Sequence, residues 1–261
     1  MSAKEKACVI KIGGSGATDM NGASKPNLIA LLTEIGIPEL SKYSRLALGI
    51  GGGPRVRALQ ATKETDHEKD MVARDVMWEH AEDLLAVAAS LGLVTVPGIP
   101  HSPEEMMHIA RNQKQPVVAM SWLKDKQSSD TSALMLAMEW QRQGYDTELV
   151  ILSNVLHIFT ADPKHDPEAR PISRSSVPLL VKENVLIDDP EKFRPGMNVT
   201  IDPVAVSHLV RQENEKLDLM FTGMSNGRNV NAFLSGYEPD MGTVLRPSIE
   251  QTVYYSNGIR S

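Results

Sequence analysis

The sequence predicts an α/β fold with a largely parallel sheet, and three observations carry that expectation. Short apolar runs of strand length recur along the chain. Amphipathic stretches of helical spacing separate them. The first two runs also break into glycine at their C-terminal ends: "CVIKIGGSGAT" at Cys8–Thr18 and "RLALGIGGGPRVRAL" at Arg45–Leu59. Strand–helix alternation at this spacing builds parallel sheets.

In chain order, strands are expected at Ala7–Ile12, Arg45–Ile50, Leu93–Val96, Pro116–Met120, Glu148–Leu152, Leu217–Thr222 and Thr243–Arg246. Helices are expected near Asn27–Leu32, Pro54–Ala61, Lys69–Leu91, Pro103–Gln113, Thr131–Gln143 and Pro203–Glu215. Several carry their own punctuation. Ser102, Pro103 and Glu105 form a capping box. Asp202 before Pro203 repeats the logic, and Asp130 opens a helix that Gly144 closes as a left-handed C-cap. The segment Pro163–Asn198, rich in proline and charge, is expected to be irregular.

Composition narrows the function. With 27 basic against 33 acidic residues, a net −6, the chain lacks the basic footprint that nucleic-acid binding needs. A small anionic ligand needs only a few placed cations. The single cysteine, Cys8, sits in an apolar run, which excludes an internal disulfide framework and predicts a buried small hydrophobe. The N-terminus has no apolar stretch long enough for a signal peptide, and no window reaches the roughly 20 apolar residues of a membrane helix. A cytoplasmic protein without a membrane partner is expected.

In an open parallel sheet, ligands bind beyond the C-terminal strand ends. Glycine there lets the backbone approach an anion, and the exposed amides hold it. One loop carries Lys11 and the other Arg55 and Arg57, which suggests two anionic groups brought face to face. The alternative is that these glycines only make tight turns. A Walker loop needs its lysine after the glycines, and Pro54 stands where a dinucleotide fingerprint needs its last glycine.

"KIGGS", "GIGGGPRVRAL", "SSDTSALMLA", "SNVLHIFTADP" and the tail "IDPVAVSHLV" to "GTVLRP" stand in the order seen in the amino-acid kinase superfamily. The chain resembles most closely its uridylate kinases and molybdenum storage proteins. That resemblance covers the whole chain and implies one domain, 1–261, folded as a three-layer αβα sandwich. About 1–147 would bind the acceptor and about 148–261 the nucleotide. It implies ATP and Mg²⁺ as cofactors and a small-molecule phosphate or carboxylate acceptor. Lys11 and Asp130 would be catalytic. Gly13, Gly14, Ser15, Ser153, Asn154, Phe159, Asp162 and Pro163 would hold ATP. Gly52, Gly53, Arg55, Arg57, Asp75 and Thr131 would hold the acceptor. Asp130 could equally be a plain N-cap, and Asp75 a helix-surface aspartate. The family's packing of the Lys69–Leu91 helix between subunits implies a homo-oligomer built on dimers, up to a hexamer.

The chain departs from the uridylate kinase pattern in two places. Leu156 and His157 replace an Asp-Gly pair before Phe159, and Trp78 adds bulk to the acceptor helix. Two other readings therefore stand beside the kinase. A storage subunit would take molybdate or tungstate as cargo, anchored by histidines such as His80 beside Glu79 or the pair His101 and His108. A nucleotide-sensing regulator would bind without transfer.

Overall fold

The structure, a computed structural model, describes residues 4–112, 117–120, 127–195, 197, 199–211 and 217–255. Successive side chains of a strand point to opposite faces, and in β1 (Lys6–Ile12) that parity divides the core in two. Ala7 and Val9 join one buried cluster, while Cys8, Ile10 and Ile12 join the other. A strand covered on both faces by helices has to read as a continuous apolar run.

Along the chain β1 is followed by α1 (Gly14–Ala17), α2 (Lys25–Ile35), α3 (Ile37–Leu40), β2 (Arg45–Ile50), α4 (Gly53–Gln60) and α5 (Asp66–Ser90). Then come α6 (Pro103–Asn112), β3 (Val117–Met120), α7 (Ser129–Arg142), β4 (Asp146–Ser153), β5 (Ile158–Phe159), β6 (Pro171–Ser175) and α8 (Val177–Lys182). A 3-10 turn at Pro190–Lys192 leads to α9 (Pro203–Arg211), β7 (Asp218–Gly223), α10 (Gly227–Leu234), β8 (Thr243–Leu245) and β9 (Val253–Tyr254). Among the described residues the strands form one nine-stranded sheet in the order β3-β2-β1-β4-β7-β8-β6-β5, with β9 paired to β6. The pairs from β3 to β7 are all parallel; β8 returns antiparallel to β7.

Helices cover both faces. Leu28 and Leu32 of α2, Ala81 and Leu84 of α5, and Phe233 of α10 pack with Ile10 and Ile12. Ala137 and Trp140 of α7 and Val206 of α9 pack with Val9 on the other side. Trp140 is fully buried and its indole N–H donates to the Ala110 carbonyl at 3.0 Å, which ties α7 to α6. The expected three-layer αβα sandwich is the observed one. Cys8 is fully buried, and burial pushes its thiol well above the ordinary range.

Local signals explain the element ends. At Ser102 half of the expected box forms: the Glu105 amide donates to Ser102 Oγ at 3.0 Å, but the Glu105 carboxylate accepts from the His101 amide at 2.8 Å instead of from Ser102. Gly144 closes α7 at φ +93°. The long helix α5 starts three residues before its expected Lys69, because Thr65 and Glu68 make a reciprocal capping box.

Two expectations are corrected. Leu93–Val96 is not a strand: Leu93 and Val96 turn inward, but Val94 is 71% exposed, and β2 already has β1 and β3 as neighbours. The stretch from Pro163 is not wholly irregular, since it contains β6 and α8. Two of its prolines stand where an element tolerates them, Pro171 as the first residue of a strand and Pro178 in the first turn of a helix. Gln113, Pro116 and the expected extension of α9 to Glu215 lie outside the described residues. Among the described residues, no helix is long and apolar enough to cross a membrane.

The glycine loops after β1 and β2 touch backbone to backbone. A Cβ on Gly14 would lie 2.2 Å from the Gly53 nitrogen, and one on Gly53 would lie 2.7 Å from the Gly14 oxygen. Gly53 also has φ +63°, which costs other residues about 1–2 kcal/mol. Gly53→Ala is expected to lower unfolding stability by about 2 kcal/mol or more in urea titration. Ala at the open, unobstructed Gly92, which also has positive φ, is expected to cost only the backbone part.

Candidate active site

Strands β2, β1 and β4 are adjacent and parallel, so their C-terminal ends open on one edge of the sheet. A cleft lies there. The β1 end supplies Lys11, Gly13, Gly14 and Ser15; the β2 end supplies Gly51, Gly52, Gly53 and Arg57. Ser153 and Asn154 come from the end of β4, and Ser128 and Asp130 from the start of α7.

Parity aims the lysine. Lys11 shares its face with Ala7 and Val9, so its side chain rises on the α7 side of the sheet. There its ammonium meets Asp130 Oδ1 at 2.7 Å, with both side chains little exposed. Asp130 is free to do this because it is not the N-cap. Ser128 is: its Oγ accepts from the amides of Asp130 and Thr131 at 3.0 and 3.3 Å.

The Ser128 hydroxyl donates in turn to Asp202. That carboxylate, 2% exposed, also accepts from Thr131 Oγ1 at 2.9 Å and from the amides of Val204 and Ala205 at 2.9 and 3.0 Å. One side chain therefore caps α9 and fastens the start of α7. Burial, and then the neighbouring Asp130 charge, push the Asp202 carboxyl above its usual range.

On the other wall, Arg57 Nη1 donates to Ser15 Oγ at 3.1 Å and so bridges the two glycine loops. His80, fully buried in α5, lies under the β2 loop with Nδ1 3.3 Å from the Gly51 carbonyl.

The cleft brings together Lys11, Gly13, Gly14, Ser15, Gly52, Gly53, Arg57, Asp130, Ser153 and Asn154 among the residues singled out from sequence. The others stand elsewhere. Arg55 is paired with Glu79, and Asp75 is exposed on α5 and does not line the cleft. Thr131 is buried beneath it on Asp202. Phe159, Asp162 and Pro163 do not line it either. Asp162 makes a surface turn, accepting from the Lys164 amide at 2.9 Å and lying 3.0 Å from His165 Nδ1.

Sequence reasoning missed Gln60, Asp70 and Arg194, and read Asp202 only as a cap. For Asp70 a signal existed. Asp70, Ala73 and Met77 stand at i, i+3 and i+7, one face of α5, and all three line the cleft. Arg194 had none, since it arrives from the aperiodic segment before α9 and donates to the carbonyls of Glu191 and Phe193 at 2.5 and 2.6 Å.

The sequence profile of the amino acid kinase family matches residues 6–209. The chain belongs to that family. A uridylate kinase of Thermococcus kodakarensis is 25% identical over 213 residues, which span 80% of this chain and 87% of that one. The uridylate kinase of Archaeoglobus fulgidus has the same fold with a TM-score of 0.70 at 20% identity, covering 92% of this chain and 99% of that one. The UMP kinase of Bacillus anthracis gives 0.70 at 17% identity, covering 97% and 100%.

The two places expected to depart from the uridylate kinase pattern are both taken up by packing. His157 is 2% exposed; its Nδ1 accepts from the Gly242 amide at 3.3 Å, and its ring packs 4.7 Å from that of Tyr255. Trp78 packs edge-on against His101 at 4.8 Å and does not line the cleft. The histidine groupings disperse: Glu79 turns to Arg55, His80 to Gly51, and His108 to Asn112. Among the described residues, no three His, Cys, Asp or Glu side chains gather as a metal site.

Burial holds both His80 and His157 below the ordinary imidazole range. The folded chain thus refuses protons that the unfolded chain accepts near pH 6.5. Stability is expected to be level above about pH 7 and to fall as pH drops through about 6.5. In thermal denaturation between pH 5.5 and 8, His157→Phe should shrink that fall relative to the unaltered protein. An identical pH slope in the two proteins would remove His157 as a cause.

Proposed function

We propose that this chain is an ATP-dependent phosphotransferase acting on a small anionic acceptor, of the nucleoside monophosphate kinase type. One observation carries the reading: the Lys11 ammonium, held by Asp130 at 2.7 Å, stands in the same cleft as the two contacting glycine loops and Arg57. Phosphoryl transfer asks a protein mostly for positioning and for positive charge where the equatorial oxygens gather it. The cleft supplies both.

In this reading the β1 loop (Gly13, Gly14, Ser15) and Ser153–Asn154 hold the nucleotide phosphates. The β2 loop amides and Arg57 hold the acceptor's phosphate or carboxylate. An acceptor oxygen attacks the γ-phosphorus, its new O–P bond forming as the bond to the β-phosphate oxygen breaks and ADP leaves. An anionic acceptor is already a nucleophile, so no side chain has to remove a proton. Lys11 offsets the charge on the moving group, and Asp130 keeps the ammonium aimed. Magnesium fits as part of the substrate, MgATP. Asp130 is engaged by Lys11 and Asp202 by four donors, which leaves the ion chiefly to phosphate oxygens and water.

Lys11→Ala is expected to lower kcat by about 10²–10³-fold with an unchanged circular dichroism spectrum. Undiminished transfer to every accepted substrate would defeat the mechanism. Arg57→Ala is expected to raise the acceptor's KM by about tenfold or more while ATP's stays within about twofold. Equal effects on both would move Arg57 out of the acceptor site.

A further inference from the structure

We infer that Gln60 selects the acceptor by demanding a hydrogen-bond donor from it, so that the acceptor is a hydroxyl- or N–H-bearing anion and not an alkyl phosphate. The assignment of this end of the cleft to the acceptor rests on the phosphoryl-transfer reading. The demand for a donor rests on Gln60 itself.

Gln60 is 7% exposed, yet it lines the cleft. Its amide orientation is fixed by Nε2, which donates to the Lys69 carbonyl at 3.2 Å. That bond commits the nitrogen to the junction between α4 and α5, and the remaining oxygen, Oε1, is buried without a partner. A buried amide oxygen at a cleft wall is an unfilled acceptor, and buried acceptors are rarely left so. Only a donor can fill it.

The distance from the anion site follows from the helix. Arg57 and Gln60 are three residues apart on α4 and share a face, about one turn or roughly 5 Å from each other. The wall between and opposite is apolar, built from Val56, Ala73 and Met77. Asp70, 4% exposed, lines this end as well. An anion seated on Arg57 therefore presents its body to apolar walls and its far groups to Gln60 Oε1. Sugar hydroxyls or ring N–H groups satisfy that oxygen. A hydrocarbon tail strands it, and leaving a buried polar group unpaired is what makes such sites discriminate strongly.

The test is calorimetric titration of the whole protein with uridine monophosphate, ribose 5-phosphate and n-butyl phosphate, alongside assays of ADP formation from MgATP. The unaltered protein should bind the first two at least about tenfold tighter than butyl phosphate. Gln60→Leu should cut that preference about tenfold, while Gln60→Glu, which keeps an oxygen acceptor at the position, should preserve most of it. A role confined to the Lys69 tether predicts a different pattern, in which Leu and Glu weaken all three ligands alike; that outcome overturns the inference. So does a wild-type protein that binds butyl phosphate as tightly as the others, or binds none of them. If the Leu variant fails to fold by circular dichroism, Gln60→Met replaces it. Preference that shifts as expected without any ADP formed would sink the transfer reading and leave the inference standing. ADP formation with an unmoved preference would do the reverse.

Discussion

The contact on which this molecule depends is the one between Gly14 and Gly53. Neighbouring strands run about 4.8 Å apart, so the loops that leave β1 and β2 begin close together. Ordinary side chains would wedge them apart, because a Cβ at either glycine falls within 2.2–2.7 Å of the other loop's backbone. Without side chains the two backbones touch. Side chains of the two loops can then meet: Arg57 of one donates to Ser15 of the other at 3.1 Å. His80 supports the arrangement from below through the Gly51 carbonyl.

A second constraint sets the charges. Parity sends Lys11 to the α7 side, where an aspartate waits that its own helix does not need as a cap. Ser128 does the capping, and Ser128 is held by Asp202 of α9. The order of dependence runs from the buried Asp202 carboxylate through a hydroxyl to the first turn of α7, then to Asp130 and the ammonium. Two neighbouring carboxylates would repel each other if both were ionised with nothing between. Lys11 offsets the charge of Asp130, while burial and that same charge push Asp202 toward its protonated form. Four donors limit how far the push can go. The lysine is thus held by a small network and not by a single pair.

Much of this was legible in the sequence where local physics decides. The strands β1, β2, β4 and β7 and the helices α4, α6 and α7 stand close to where apolar period, proline and glycine put them. Most of the ten cleft residues recovered stand at or just beyond the ends of β1, β2 and β4, whose direction a parallel sheet dictates, while Arg57 and Asp130 come from α4 and α7. The failures have one cause in common: they needed a rotation or a contact that no window of sequence contains. Of the two expectations for Asp75, acceptor contact or helix surface, the structure has the second, since five residues of helix turn it about 140° from Asp70, which lines the wall. Arg194 reaches the cleft only because the chain before α9 folds back over it. Leu93–Val96 has a strand's composition, but Val94 points into solvent.

Leu156-His157 shows the same division between local and tertiary control. On the strand-end side of that pair, Ser153 and Asn154 still line the cleft. On the far side, His157 turns inward and accepts from the Gly242 amide, where Tyr255 also donates its hydroxyl to the Gly242 carbonyl at 2.7 Å. Both polar groups of one glycine are thereby satisfied by two rings packed at a tilt of 60°, at a position with φ +104° where the chain must turn into β8. A histidine is the right size to span that gap and, kept neutral by burial, can accept the amide proton. His157 therefore pins the antiparallel end of the sheet, away from the cleft at the ends of β1, β2 and β4 with its cation, its glycines and its bridging arginine.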